Sequence, residues 1–160
     1  PPPRLRRQRQ MCIRDRQRIG KPDKLLFSFH GIPQSYVCDD EPYQSQCLST
    51  ASLIARELNL DESQYEVAFQ SRFGKAEWIK PYLSSRLEEL PKEGIQNIHV
   101  FCPGFSSDCL ETIDEIGRES KEEFFEHGGK SFEFIPCLNS EESFINALMD
   151  IKGKADVKIL

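Results

Sequence analysis

Four short, nearly continuous apolar runs, each followed by a segment of helical period, limit what this chain can fold into more than any other feature. Leu25-Leu26-Phe27-Ser28-Phe29 is halted by His30-Gly31-Ile32-Pro33, and similar runs cover residues 65–69, 97–102 and 132–137. Runs this short, without polar alternation and bounded by Gly and Pro, read as strands buried on both faces. Between and after them, residues 45–58 carry Leu48, Ala51, Leu53-Ile54 and Leu58, and residues 77–90 carry Trp78-Ile79, Tyr82-Leu83, Leu87 and Leu90 before Pro91. Residues 107–127 carry Leu110, Ile113, Ile116 and Phe124 before Gly128-Gly129, and residues 141–151 carry Phe144-Ile145, Leu148-Met149 and Ile151. These spacings predict helices, the third closed by a glycine cap and the second ended by its proline. A β-α unit repeated four times predicts an α/β fold, a four-stranded parallel sheet flanked by helices on both faces through right-handed crossovers.

Composition agrees with one ordinary domain: 160 residues, 38% hydrophobic and 29% charged. No window approaches the roughly 18 apolar residues of a membrane span, and the head of the chain has no apolar core of a secretory signal, so the expected compartment is the cytoplasm. The net charge of −5 conceals a basic segment. Residues 1–24 hold nine of the 21 Lys and Arg and only Asp15 and Asp23 of the acids. A basic arm can tether nucleic acid, but this one opens on three prolines, lacks apolar periodicity and is expected to be a disordered extension. Its Met11-Cys12-Ile13-Arg14-Asp15-Arg16 resembles a translated sequencing adapter, which makes the extension non-native in this reading. Six cysteines (Cys12, Cys38, Cys47, Cys102, Cys109, Cys137) show no zinc-knuckle spacing and are too few for a disulfide scaffold, so reduced structural thiols are expected.

In open α/β sheets ligands sit beyond the carboxyl ends of the strands. Four unusual segments fall there: His30-Gly31-Ile32-Pro33, Gln70-Ser71-Arg72-Phe73-Gly74, the stretch 103–108 and Pro136-Cys137-Leu138-Asn139. A histidine at a strand end is commonly a hydrogen-bonded structural group; in this company His30 reads as a proton carrier or metal ligand. His99 within a strand and His127 at a helix end read as structural. Glu111, Glu115 and Glu119 repeat every four residues and predict one carboxylate column on a helix, with Asp108 one turn earlier. Asp108-x-x-Glu111 is also a capping-box variant, and the column could be a solvated face. Like charges at this spacing oppose a helix, so a compensating partner is expected. Opposite His30, the column suits a divalent cation or protons in transit. Trp78, the single tryptophan, is plain core or, with Phe73, Phe105 and Tyr43, an aromatic wall for a flat ligand. The glycine loops match neither a dinucleotide fingerprint nor a P-loop, and no Gly-x-Ser-x-Gly elbow occurs.

Taken in order, Ser28-Phe29-His30-Gly31-Ile32-Pro33, Asp40-Glu41-Pro42-Tyr43, Phe69-Gln70-Ser71-Arg72-Phe73-Gly74 with Trp78, and Cys102-Pro103-Gly104-Phe105-Ser106-Ser107-Asp108-Cys109-Leu110-Glu111-Thr112 resemble signature blocks of the ferrochelatase family. Its members are lyases of haem and porphyrin biosynthesis that insert ferrous iron into protoporphyrin IX to form protohaem. The resemblance covers about residues 25–151 and is closest to bacterial members. It implies a chelatase-type, Rossmann-like lobe, the C-terminal one of two, with 152–160 as a tail. It implies His30 and Glu111 as the catalytic pair facing each other across the porphyrin cleft, as iron ligands or proton handlers, and Glu115 and Glu119 as the acidic row behind them. Tyr43 and Trp78 match residues near the porphyrin. Cys109 stands where other relatives have histidine and is not expected to be a ligand.

Metallation must remove two pyrrole protons while hydrated Fe2+ sheds water, tasks that an imidazole and a carboxylate can divide. The implied partners are protoporphyrin IX and ferrous iron, the iron being substrate, with no permanent cofactor, no iron-sulfur cluster and no nucleic acid. A peripheral membrane contact and a homodimer stay open. Because nothing in residues 1–24 resembles a second lobe, this chain alone is expected to have little chelatase activity. Two other readings remain: a small single-lobe chelatase such as a cobalt-inserting dimer, and a non-catalytic porphyrin-binding domain.

Overall fold

The computed structural model describes residues 21–38 and 42–156. The basic segment up to residue 20, Asp40-Glu41 of the second signature block and the last four residues lie outside these. Strands β1 (Lys24–His30), β2 (Tyr65–Gln70), β3 (Asn97–Phe101) and β4 (Ser131–Ile135) form one sheet in the order β2-β1-β3-β4, and every neighbouring pair is parallel. Helix α1 (Tyr43–Glu57) connects β1 to β2, α2 (Leu83–Lys92) connects β2 to β3, and α5 (Glu142–Asp156) follows β4. Between β3 and β4 lie α3 (Leu110–Ile113), a π-helical turn (Glu115–Ser120) and α4 (Lys121–Glu126).

Side chains alternate across a strand, so each strand feeds two cores. Leu25, Phe27 and Phe29 of β1 pack with Cys47, Ala51, Ile54 and Ala55 of α1, and Phe144 of α5 joins them. Leu26 of β1, Ala68 of β2 and Ile98 and Val100 of β3 pack on the other side with Leu83, Leu87 and Leu90 of α2 and with Ile116 and Phe124. The expected two-sided α/β sheet is present. At about 25 cal/mol per Å2 of apolar surface removed from water, such two-sided burial is the dominant force holding the layers.

Four details differ from the sequence reading. Trp78 and Ile79 are not helical, because Pro81 cannot donate and pushes Lys80 away from helical backbone. Instead Trp78 bridges Pro33, the Ile79 N–H donates to the Ile32 carbonyl at 3.0 Å, and α2 starts at Leu83. Pro91 does not end α2, which runs to Lys92; in the last turn little helix remains to be disrupted. The single helix expected over 107–127 is interrupted by the π turn, where the Glu119 N–H donates to the Asp114 carbonyl at 2.9 Å. Finally, Asp23 and Lys24, which composition groups with the basic extension, and the residues from 152 to Asp156 are part of the fold. Asp23 accepts from the Gln96 and Asn97 N–H groups, Lys24 opens β1, and α5 continues to Asp156.

The strand order positions the site. From β1 the chain passes to β2 on one side, then returns across the sheet to β3 and β4 on the other. The loops leaving β1 and β3 therefore diverge, and a crevice opens between them at the carboxyl ends. His30 ends β1, and the loop after β3 leads to Glu111.

Candidate active site

His30 is exposed at the last position of β1, in register with Gln70 of β2. Its Nδ1 lies 2.7 Å from the Gly31 carbonyl oxygen. A carbonyl only accepts, so Nδ1 carries the proton and the Nε2 lone pair is left for a proton or a metal ion. The Tyr43 hydroxyl donates to the His30 carbonyl at 2.7 Å, fixing the strand end from the α1 side. Burial, followed by the neighbouring Cys47, pushes the Tyr43 phenol up to about 12, so it stays a neutral donor. Trp78 stands beside His30, ring centroids 6.5 Å apart and planes at 49°. Its Nε1 donates to the Phe73 carbonyl at 3.0 Å. Gly31 makes this packing feasible. A Cβ there would lie 3.0 Å from the Gln70 carbonyl oxygen and 3.1 Å from Trp78 Cε3.

Across the crevice, Glu111 sits in the first turn of α3, half-buried. The Cys109 thiol, the Glu111 N–H and the charge of His30 hold its carboxyl below the usual carboxylate range against slight desolvation. Glu111 is therefore ionised near neutrality and within electrostatic reach of His30. An open groove of about 380 Å3 runs past it, walled by Arg72, Phe73, Leu110, Glu115 and Glu119. A second recess of about 190 Å3 shares Ser71, Arg72, Glu115 and Glu119 and extends to Glu123. The three glutamates thus border one groove despite the π turn.

Their surroundings are unequal. Both oxygens of Glu115 are engaged, one by the Ser71 N–H and the other by the Ser71 hydroxyl, each at 2.6 Å. This grip holds Ser71 at φ 64°, a left-handed conformation uncommon for a residue with a side chain. Glu119 is exposed and pairs with Arg118 at 3.0 Å. Arg118 also reaches Asp114 at 2.6 Å and Glu122 at 3.5 Å, and so offsets the like charges of the column.

Asp108 is not the cap that its spacing predicts. Cys109 is the residue at the start of α3, and its N–H donates to Thr112 Oγ1 at 2.9 Å. The Asp108 carboxylate instead accepts from the Cys137 N–H at 3.0 Å, Asn139 Nδ2 at 2.7 Å and the Thr112 hydroxyl at 3.1 Å, tying the β3 and β4 loops together.

His30 and Trp78 therefore stand side by side at the end of β1, Glu111 lies within electrostatic reach of His30, and Glu115 and Glu119 line the groove with Glu111. Tyr43 lies behind His30 and packs against the α1 core. Phe73 is 83% exposed at the groove edge. Phe105 does not join this wall; it lines a separate groove with Pro103, Leu138 and Phe144. Among the described residues no three His, Cys, Asp or Glu side chains converge as a metal site. Sequence reasoning missed the partners that hold this arrangement: Ser28, Gln70 and Ser71. Ser28 reads as a polar position inside a strand and Gln70-Ser71 as part of the rim, with nothing in the sequence to show which groups they bind.

The fold is similar to that of a cobalamin biosynthesis CbiX protein from Marinobacter aquaeolei, with a TM-score of 0.55 at 12% identity, covering 86% of this chain and 99% of that one. In sequence, the chain is 51% identical over 132 residues to a ferrochelatase of Janthinobacterium sp., 48% to one of Idiomarina loihiensis and 50% to one of Hydrogenovibrio crunogenus. Each alignment covers 82% of this chain but only 35% or 36% of the relative, so the chain spans about a third of the length of these proteins. The ferrochelatase family model matches residues 6–155, beginning inside the basic segment. With the strand-end histidine, the facing glutamate and the crevice between them, this match establishes that the chain belongs to the ferrochelatase family.

Proposed function

We propose that the chain carries the metal- and proton-handling side of a site that inserts ferrous iron into protoporphyrin IX. The observation that carries the reading is the pairing of His30, its tautomer fixed by the Gly31 carbonyl, with an ionised Glu111 across the crevice. His30 Nε2 accepts pyrrole protons one at a time, and the exposed ring lets each leave to solvent. Glu111 draws the hydrated Fe2+ toward the macrocycle and replaces a departing water. Glu119, exposed on the groove, and Glu115, held by Ser71, give that path its negative potential. Trp78, pinned through Phe73 and pressed against Gly31, offers a rigid aromatic edge to a flat ring, while Tyr43 steadies His30 from behind. Holding a macrocycle rigidly off-planar exposes its nitrogen lone pairs and directs binding energy to the transition state. The free cysteines Cys38, Cys47, Cys102, Cys109 and Cys137 agree with a reducing cytoplasm. Among the described residues no helix is long and apolar enough to cross a membrane.

The test is a chimaera in which this chain replaces the aligned 132 residues of the Janthinobacterium ferrochelatase. Iron insertion followed by the porphyrin absorbance should fall at least about 100-fold in both His30→Ala and Glu111→Gln, with unchanged thermal midpoints. Near-normal turnover in either variant would remove that residue from the site. Porphyrin binding without any metallation by the unsubstituted chimaera would favour the non-catalytic reading.

A further inference from the structure

Gln70 is 3% exposed, yet its side chain joins three elements of the site. Its Oε1 accepts from the buried Ser28 hydroxyl of β1 at 2.7 Å and from the Cys102 thiol after β3 at 3.5 Å. Its Nε2 donates to the Glu111 carbonyl oxygen at 2.8 Å, and its own carbonyl accepts the Gly31 N–H at 2.9 Å. Gln70 is also the register partner of His30. One side chain thus spans from the strand that presents the imidazole to the backbone of the residue that presents the carboxylate. A neutral amide suits this place because it is donor and acceptor at once without a buried charge.

We propose that Gln70 is a positioning residue that sets the separation of His30 and Glu111, an inference that rests on the iron-insertion reading. Buried from the crevice, it acts through the Glu111 backbone. A reacting group displaced by about 1 Å can lose on the order of 100-fold in rate, so the consequence lies in turnover rather than porphyrin binding.

In the chimaera, Gln70→Met keeps the length of the side chain and removes its hydrogen bonds. The expected result is a kcat lowered by 10-fold or more with the porphyrin KM within about twofold. Wild-type kcat in Gln70→Met, or a raised porphyrin KM with kcat unchanged, would overturn the proposal. If the unsubstituted chimaera inserts no iron, the insertion reading falls, and amide hydrogen exchange on the 160-residue chain decides the role of Gln70. Faster exchange at residues 112–114 in Gln70→Met, with β1 and β3 unchanged, supports it; uniform or absent change refutes it.

Discussion

Gly31 shows how little freedom individual positions of the site have. Its backbone lies outside the left-handed region, so the demand for glycine comes from crowding: the Gln70 carbonyl on one side and the Trp78 ring on the other. Gly31→Ala should destabilise the chain by about 1–3 kcal/mol in urea unfolding and displace Trp78, seen as a shift in its fluorescence maximum. An unshifted spectrum would mean that the ring does not depend on the glycine. His30 and Glu111 could be singled out from sequence because each stands in a block of unusual residues at a strand or helix end. Gln70 and Ser71 stood in such a block too, but a hydrogen bond between residues 41 apart leaves no trace in a single sequence. The same holds for Asp108, whose spacing to Glu111 mimics a cap while its partners, Cys137 and Asn139, arrive from the β4 loop.

The loop-to-loop latch at Asp108 has a pH signature. Burial opposes its charge, but hydrogen bonds from Asn139, Cys137 and Thr112 outweigh that and hold its pKa below the usual value. A depressed folded-state pKa gives stability that is complete above the unfolded value, near 3.9, and is lost as pH falls through the folded one. Urea unfolding between about pH 3 and 6 should thus show weakening stability below about pH 4, with a shallower decline in Asp108→Asn. An identical decline would show that the latch does not contribute. The helices and strands were largely readable because apolar period alone specifies them. The departures occur where a local exception competes: Pro81 turns 78–82 into an extended arm against Pro33, and the π turn adds a residue to a helix whose apolar spacing looks regular.

Across the molecule, the candidate site and the main cluster of ion pairs occupy opposite ends of the sheet. His30, Gln70 and the loop to Glu111 lie at the carboxyl ends, whereas Lys24 and Glu66 lie near the strand beginnings. There Glu66 accepts from Lys24 at 2.6 Å and from Arg86 at 2.9 Å, and Arg86 also reaches Glu89 and Glu93. Arg86 is largely covered, with its side chain 16% exposed, so Arg86→Met leaves the partly buried Glu66 with Lys24 but without its partner from α2. A loss of about 1–3 kcal/mol in stability is expected, with kcat of the chimaera unchanged below the melting transition. A fall in kcat would mean that the two ends of the sheet are coupled. The carboxyl-end position of His30 and Gln70 was legible in the segments that follow each run, whereas the pairing of Glu66 with Lys24 and Arg86 was not, because it depends on which elements lie side by side.

The neighbouring positions of His30 and Gln70 also limit how this site can be altered. Adjacent parallel strands are held about 4.8 Å apart by backbone bonds that no side chain controls. The only available shift is a slip by a whole residue, which would turn the imidazole to the opposite face of the sheet. The position of His30 against Gln70 is therefore stepped, and the adjustable side of the site is the helical one, where the Gln70 side chain holds the Glu111 carbonyl. On the proposed insertion role, an engineer seeking a different metal ion should exchange the groups at positions 30 and 111 and leave the sheet untouched.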